Sequence, residues 1–210
     1  MMKISTSVLD SKDRMLSVIQ LNQTKTSYIH IDVMDGKFVP NVQFMDWKEI
    51  SNLSKISKCP LDVHLMMDNP SIYIEKLKDL NILYITVHLE LGRNLKEIFS
   101  HIKSFKYKVG LSIKPGTKIE EIEPYLDDID LVLLMSVEPG LGGQKFMEST
   151  ISRVLLLKKL IGNRDILIEV DGGINDTNIN LLKDIDIAVV GSYIINSDDY
   201  SKKIDELLTK

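Results

Sequence analysis

Residues 29–36 read IHIDVMDG. Ile29, Ile31 and Val33 alternate with His30, Asp32 and Met34, which is the period of a β-strand. His30 and Asp32 therefore share one face, and the branched aliphatic residues occupy the other. An imidazole and a carboxylate on a buried face must be paired, because a buried polar group without a partner costs stability. Either neighbouring side chains pair with them or something outside the chain does. The stretch reads as a strand packed on one side and carrying chemistry on the other.

Seven more short β-rich runs extend the pattern along the chain: 4–9, 61–66, 82–88, 109–113, 131–136, 166–171 and 187–191, with 27–32 as the second of eight. Between them, apolar residues recur at helical spacing. Met15, Leu16, Val18 and Ile19 predict one buried helix face, as do Ile72, Ile74, Leu77 and Leu80, and then Leu95, Ile98, Phe99 and Ile102. Further helical stretches are predicted at 151–160 and 179–182, and a last one through Ile204, Leu207 and Leu208, with Ser197, Asp198 and Asp199 as its cap and acidic start. Eight strands, each followed by helical sequence, predict a parallel sheet. Without a reversal signal, a closed (β/α)8 TIM barrel fits better than an open doubly wound sheet. No low-complexity tract or linker marks a boundary, so residues 1–210 are expected to form a single domain.

The composition is that of an ordinary soluble chain, 44% apolar and 27% charged, with a net charge of −4. That balance argues against nucleic acid as the main partner, since phosphate-backbone binding needs clustered Lys and Arg. No apolar run approaches the about 18 residues of a membrane span, and MMKISTSVLD has no leader pattern. The single Cys59 rules out an intramolecular disulfide and is expected to be a buried structural thiol. A reducing cytoplasm is the expected location.

Strand ends fall near 9, 32, 66, 88, 113, 136, 171 and 191, so two intervals, of 34 and 35 residues, are longer than the rest. They carry MDGKFVPNVQF and VEPGLGGQKF, which read as loops over the barrel's carboxyl-end face, where active sites lie. Ser7, His30, Asp32, His64 and Asp171 all sit near strand ends and would converge on that mouth. Two imidazoles and two carboxylates suit a borderline divalent ion. Asp62, one layer deeper on the face of His64, could orient a ligand histidine. His88 and Glu90 are weaker candidates, and His101 reads as a surface residue. Gly140, Gly142 and Gly143, then Gly172 and Gly173, then Gly191 follow strands, where glycine lets backbone N–H groups approach an anion. With Ser192 they suggest a phosphate pocket. Met34, Met66 and Met135 read either as core filler or as a water-excluding roof over a site.

At these residues the sequence resembles the ribulose-phosphate 3-epimerase family. The resemblance covers essentially the whole chain, through HIDVMDGKFVPN (30–41), LDVHLM (61–66), VGLSIKPGT (109–117), LMSVEPGLGGQKF (134–146), IEVDGGI (168–174) and VVGS (189–192). It implies a (β/α)8 barrel of the ribulose-phosphate-binding type that interconverts D-ribulose 5-phosphate and D-xylulose 5-phosphate in the pentose phosphate pathway. It also implies one divalent cation per subunit, Zn2+ foremost with Fe2+, Mn2+ or Co2+ as alternatives, and a homo-oligomer, either dimer or hexamer. Carried over by position, the metal ligands are His30, Asp32, His64 and Asp171, and Asp32 and Asp171 double as the acid/base pair acting through an enediolate. Ser7 and His64 contact the sugar, while Gly140, Leu141, Gly142, Gly143, Gly172, Gly173, Gly191 and Ser192 bind its chain and phosphate. Met34, Met66 and Met135 match the family's methionines.

The chain departs from the family at Thr6, at Asp10–Lys12, at Met45–Asp46 and at Leu141, which replaces a phenylalanine in the flexible loop. Other readings are an epimerase for a longer sugar such as D-allulose 6-phosphate, or a non-catalytic sugar-phosphate-binding barrel. A decarboxylase or aldolase on a related barrel is more distant, since it would place a lysine among the acid/base groups.

Overall fold

In the computed structural model, which describes residues 2–210, successive side chains of each strand point alternately to the two faces of the sheet. Eight parallel strands are β1 (Lys3–Ser7), β2 (Tyr28–Asp35), β4 (Leu61–Met66), β5 (Ile82–His88), β6 (Lys108–Ile113), β7 (Leu131–Met135), β8 (Leu167–Asp171) and β9 (Ile187–Val190). They pair in that order, and β1 pairs with both β9 and β2, so the sheet is a closed barrel. A two-residue strand, β3 (Val42–Gln43), runs antiparallel to the end of β2 and lies outside the barrel.

The outward strand faces carry Ile29, Ile31 and Val33, Val63 and Leu65, Leu111 and Ile113, Val132 and Leu134, all buried in the main core under the helices. Each such side chain contributes about 1.5–3 kcal/mol when fully withdrawn from water. Inside the barrel the bottom is plugged by Tyr28, Tyr84, Leu131, Leu133 and Ile187, with the two tyrosine rings edge to face at 5.8 Å. Above that plug the interior turns polar. Ser5, His30, Asp62, Thr86, Ser112 and Glu169 are all fully buried. An apolar floor and a polar upper storey are what direct chemistry to one end.

The helices follow the predicted order with specific corrections. α1 (Arg14–Leu21), α2 (Trp47–Ile56), α3 (Ser71–Lys76), α4 (Leu95–Ser104), α5 (Ser149–Ile161), α6 (Ser192–Ile195) and α7 (Tyr200–Leu208) are α-helical. On α1 the buried face is Ser17, Val18 and Leu21, whereas Met15, Leu16 and Ile19 are exposed. Ile72 is likewise exposed on α3. On α4 the expected face of Leu95, Ile98, Phe99 and Ile102 is the buried one. The stretch 179–182 yields only a 3-10 turn, Ile179–Leu181, because its Asn-, Asp- and Thr-rich approach has poor helix propensity. A second 3-10 segment, Ile119–Tyr125, contains Pro124, which cannot donate to a helical ladder. Cys59 is half-buried rather than buried, with its thiol 3.3 Å from the Thr26 carbonyl.

Of the three residues expected to start the last helix, Asp199 alone is the cap, accepting the Lys202 N–H at 2.9 Å. Asp199→Ala is expected to lower stability by about 1 kcal/mol, read as a lower urea midpoint with an unchanged slope. Asp46, one of the departures from the family pattern, caps α2 through the Lys48 N–H at 3.0 Å, after Phe44 takes a left-handed φ of 53°. Among the described residues no helix is long and apolar enough to cross a membrane.

Candidate active site and metal centre

Register brings the strand-end polar groups together. His30 on β2 lies opposite Asp62 on β4, and Asp32 lies opposite His64. Asp171 ends β8, which is separated from β2 by β9 and β1, so its carboxyl approaches the mouth from another side. One donor atom from each of His30, Asp32, His64 and Asp171 lies within 4.8 Å of all the others. Asp32 Oδ1 stands 3.3 Å from His30 Nε2 and 3.2 Å from His64 Nδ1, and its Oδ2 accepts the Ser7 hydroxyl at 2.9 Å.

Each histidine is held from behind. His30 Nδ1 faces Asp62 Oδ2 at 2.7 Å, and the same oxygen accepts the Ser5 hydroxyl at 2.9 Å. His30 Nε2 is buried and has no hydrogen-bond partner. His64 Nε2 lies 2.9 Å from His88 Nε2, and His88 Nδ1 lies 2.9 Å from Glu90 Oε2. His88 and Glu90, weighed from the sequence as outlying ligands, thus stand behind His64 and outside the four-residue group. Asp62 and Glu169 form a second acidic pair with His30, one layer deeper. Nothing in the sequence pattern singled out Glu169, although its position two residues before Asp171 puts it on the same inward face.

The two mouth carboxyls have opposite electrostatics. Burial works against ionisation of Asp32, yet His30 and His64 outweigh it and hold the group well below the usual carboxylate range. Asp171 is pushed up to about 7, first by burial and then by the negative charge of Asp32. His30 is also disfavoured as a cation by burial, but Asp32 and Asp62 on either side raise it well above its ordinary value. Burial, followed by the charge of Asp62, drives Glu169 far upward. His88 is pushed down to about 4 by burial, and Glu90 sits at about 2, because the donors around it overcome its burial.

A single cavity over these groups is lined by Ser7, Asp32 and Asp171 and by every glycine expected at the rim. Gly140, Leu141, Gly142 and Gly143 come from the loop after β7, Gly172 and Gly173 from the turn after β8, and Gly191 with Ser192 from the start of α6. Met34, Met66 and Met135 also line it while remaining almost fully buried. His30 and His64 do not reach the lining and lie beneath it, fully buried. Leu141 projects outward and is 64% exposed. Gly173, at φ 64°, backs directly onto the β7 loop. A Cβ there would meet the Gln144 carbonyl and the Phe146 amide at 2.5 Å. The two long loops also meet: Asn41 donates to the Gly140 carbonyl at 2.6 Å.

Comparison with known proteins speaks at two levels, fold and sequence. In fold, the chain is similar to KGPDC from Streptococcus mutans (TM-score 0.75, 10% identity, 99% of this chain and 96% of that one). It is also similar to a tryptophan synthase alpha-subunit from Pyrococcus furiosus (TM-score 0.72, 16% identity, 100% and 98%). Those identities are too low to speak of more than the barrel. In sequence, the likeness is closer. A Helicobacter pylori strain J99 ribulose-phosphate 3-epimerase is 39% identical over 98% of this chain and 96% of its own length. The Bacillus subtilis ribulose-phosphate 3-epimerase is 35% identical over 99% and 98%. The profile of the ribulose-phosphate 3 epimerase family matches residues 3–195, a span that runs from the first barrel strand through α6 and so includes every polar group gathered at the mouth. By sequence over nearly its full length, the chain belongs to the ribulose-phosphate 3-epimerase family.

Proposed function

We propose that the protein is a metal-dependent ribulose-phosphate 3-epimerase that interconverts D-ribulose 5-phosphate and D-xylulose 5-phosphate. The observation that carries this reading is the approach of Asp32 and Asp171 to one another from strands on different sides of the barrel mouth. Inverting a carbon next to a carbonyl means taking its proton from one face and returning one to the other. One base cannot readily serve both faces, so two carboxyls across a planar carbon are the economical arrangement. Asp32, held ionised, is suited to accept a proton, and Asp171, near 7, to supply one; the roles exchange in the reverse direction. The Ser7 hydroxyl fixes Asp32 through Oδ2.

The four ligand positions also fit a divalent ion by their own chemistry. His30 Nε2 is a buried nitrogen without a partner, beside a carboxylate and facing the group formed by Asp32, His64 and Asp171. Imidazole and carboxylate together suit Zn2+, Fe2+, Mn2+ or Co2+. When bound, one such cation per subunit supplies Lewis-acid stabilisation of the negative charge that develops on the sugar oxygens. Gly172, Gly173, Gly191 and Ser192 offer backbone and hydroxyl donors to the phosphate, and the β7 loop covers the sugar chain. Met34, Met66 and Met135 exclude water around the reacting carbons without offering a competing oxygen. A homo-oligomer, either dimer or hexamer, is the form read from the family resemblance, and a cytoplasmic location is the one read from the sequence itself.

Turnover of D-ribulose 5-phosphate by the metal-loaded protein in deuterated water tests the reading. The expected product is D-xylulose 5-phosphate carrying solvent deuterium at carbon 3. No turnover would reject it, and a higher kcat/KM on D-allulose 6-phosphate would reassign the substrate to the longer sugar.

A further inference from the structure

We infer that His88 and Glu90 are positioning residues that fix the tautomer of His64, so that its Nδ1 lone pair is presented to the cation. This inference rests on the proposed metal site. It follows from where each proton can lie. Glu90, in the 3-10 turn Leu89–Leu91 after β5, accepts the Lys114 N–H at 2.8 Å and the Thr117 hydroxyl through Oε1. Its Oε2 faces His88 Nδ1 at 2.9 Å. A carboxylate only accepts, so that ring nitrogen must carry the hydrogen. In a neutral ring the other nitrogen, His88 Nε2, is then an acceptor. It faces His64 Nε2 at 2.9 Å. Two lone pairs cannot meet at that distance, so His64 Nε2 is the donor. The remaining nitrogen of His64, Nδ1, is left bare; it faces Asp32 Oδ1, a second acceptor, at 3.2 Å, and the two lone pairs are compatible there only as ligands of one shared cation.

The relay is braced at its far end. Arg153, a buried residue of α5, donates to the Lys114 carbonyl at 2.8 Å and to the Thr117 carbonyl at 3.0 Å. It thereby holds the two residues whose N–H and hydroxyl seat Glu90. Asp62 does for His30 what this longer chain does for His64: Nδ1 is tied back, and Nε2, without a hydrogen-bond partner, is the atom turned to the cluster. One ligand histidine is set by a single carboxylate, and the other by a carboxylate acting through a second imidazole.

Two measurements on the full chain test the relay. In Zn2+-loaded, 15N-histidine-labelled protein, long-range proton–nitrogen spectra are expected to show His64 with its hydrogen on Nε2 and His88 with its hydrogen on Nδ1. His64 carrying its hydrogen on Nδ1 would overturn the inference. Glu90→Ala and His88→Phe, checked for fold by circular dichroism, are expected to weaken Co2+ binding about 10–100-fold, with an altered cobalt absorption spectrum. Folded variants with unchanged Co2+ affinity would also overturn it. If the unsubstituted protein takes up neither Zn2+ nor Co2+, the metal reading fails and the relay with it; metal uptake with the other tautomer overturns the relay alone.

Discussion

Asp171→Asn and Asp32→Asn are each expected to lower kcat by about 10²–10⁴-fold or more, the scale of general acid–base catalysis, while the barrel stays folded. Asparagine keeps the shape of the side chain but can neither take nor release the proton. Both groups lie at the strand ends above the apolar plug, so their loss removes no packing from the main core. The two variants are expected to differ in one respect. Each carboxyl serves one face of carbon 3, so a variant keeping the other carboxyl should still exchange the carbon 3 hydrogen of one epimer with solvent. Neither should complete the inversion. Asp32 also contacts Ser7, His30 and His64, so Asp32→Asn is expected to weaken metal retention as well. Full activity in either purified variant would remove that residue from the mechanism.

Stripping the protein with a chelator is expected to abolish turnover, and adding back Zn2+, Fe2+, Mn2+ or Co2+ to restore it. The same cycle should move thermal stability. Asp32, Asp62, Asp171 and Glu169 crowd the barrel interior, and a cation bound only by the folded state stabilises it by mass action, about 4 kcal/mol at a thousandfold excess over Kd. The melting temperature is therefore expected to rise on metal addition and to depend on metal concentration. An unchanged melting temperature together with unchanged activity after exhaustive chelation would mean that the cluster is neutralised by protons alone.

Much of the barrel is legible in the sequence because a strand declares both of its faces. IHIDVMD, LDVHLM and LIEVD each alternate core residues with polar ones, and the alternation places His30, Asp32, His64 and Asp171 at one end before any contact is known. Helix faces are less legible. Met15, Leu16 and Ile19 have the spacing of a buried stripe, yet α1 turns Ser17, Val18 and Leu21 inward, because the neighbouring helices decide which stripe is covered. The groups behind the ligands are least legible. That Asp62 serves His30, and that His88 serves His64, depends on strand register and on side chains from adjacent strands. Arg153, on α5, reaches the carbonyls of Lys114 and Thr117 beside Glu90 from 39 and 36 residues further along the chain, a partnership that no local pattern encodes.

Crystals of the protein grown with Zn2+ and measured at the zinc absorption edge offer the most direct test. The expected result is one anomalous peak per subunit, within about 2.0–2.2 Å of donor atoms from His30, Asp32, His64 and Asp171 together. An empty mouth, or a peak held by Asp62 and Glu169 in the layer beneath, would contradict the shared metal on which the proposed chemistry depends.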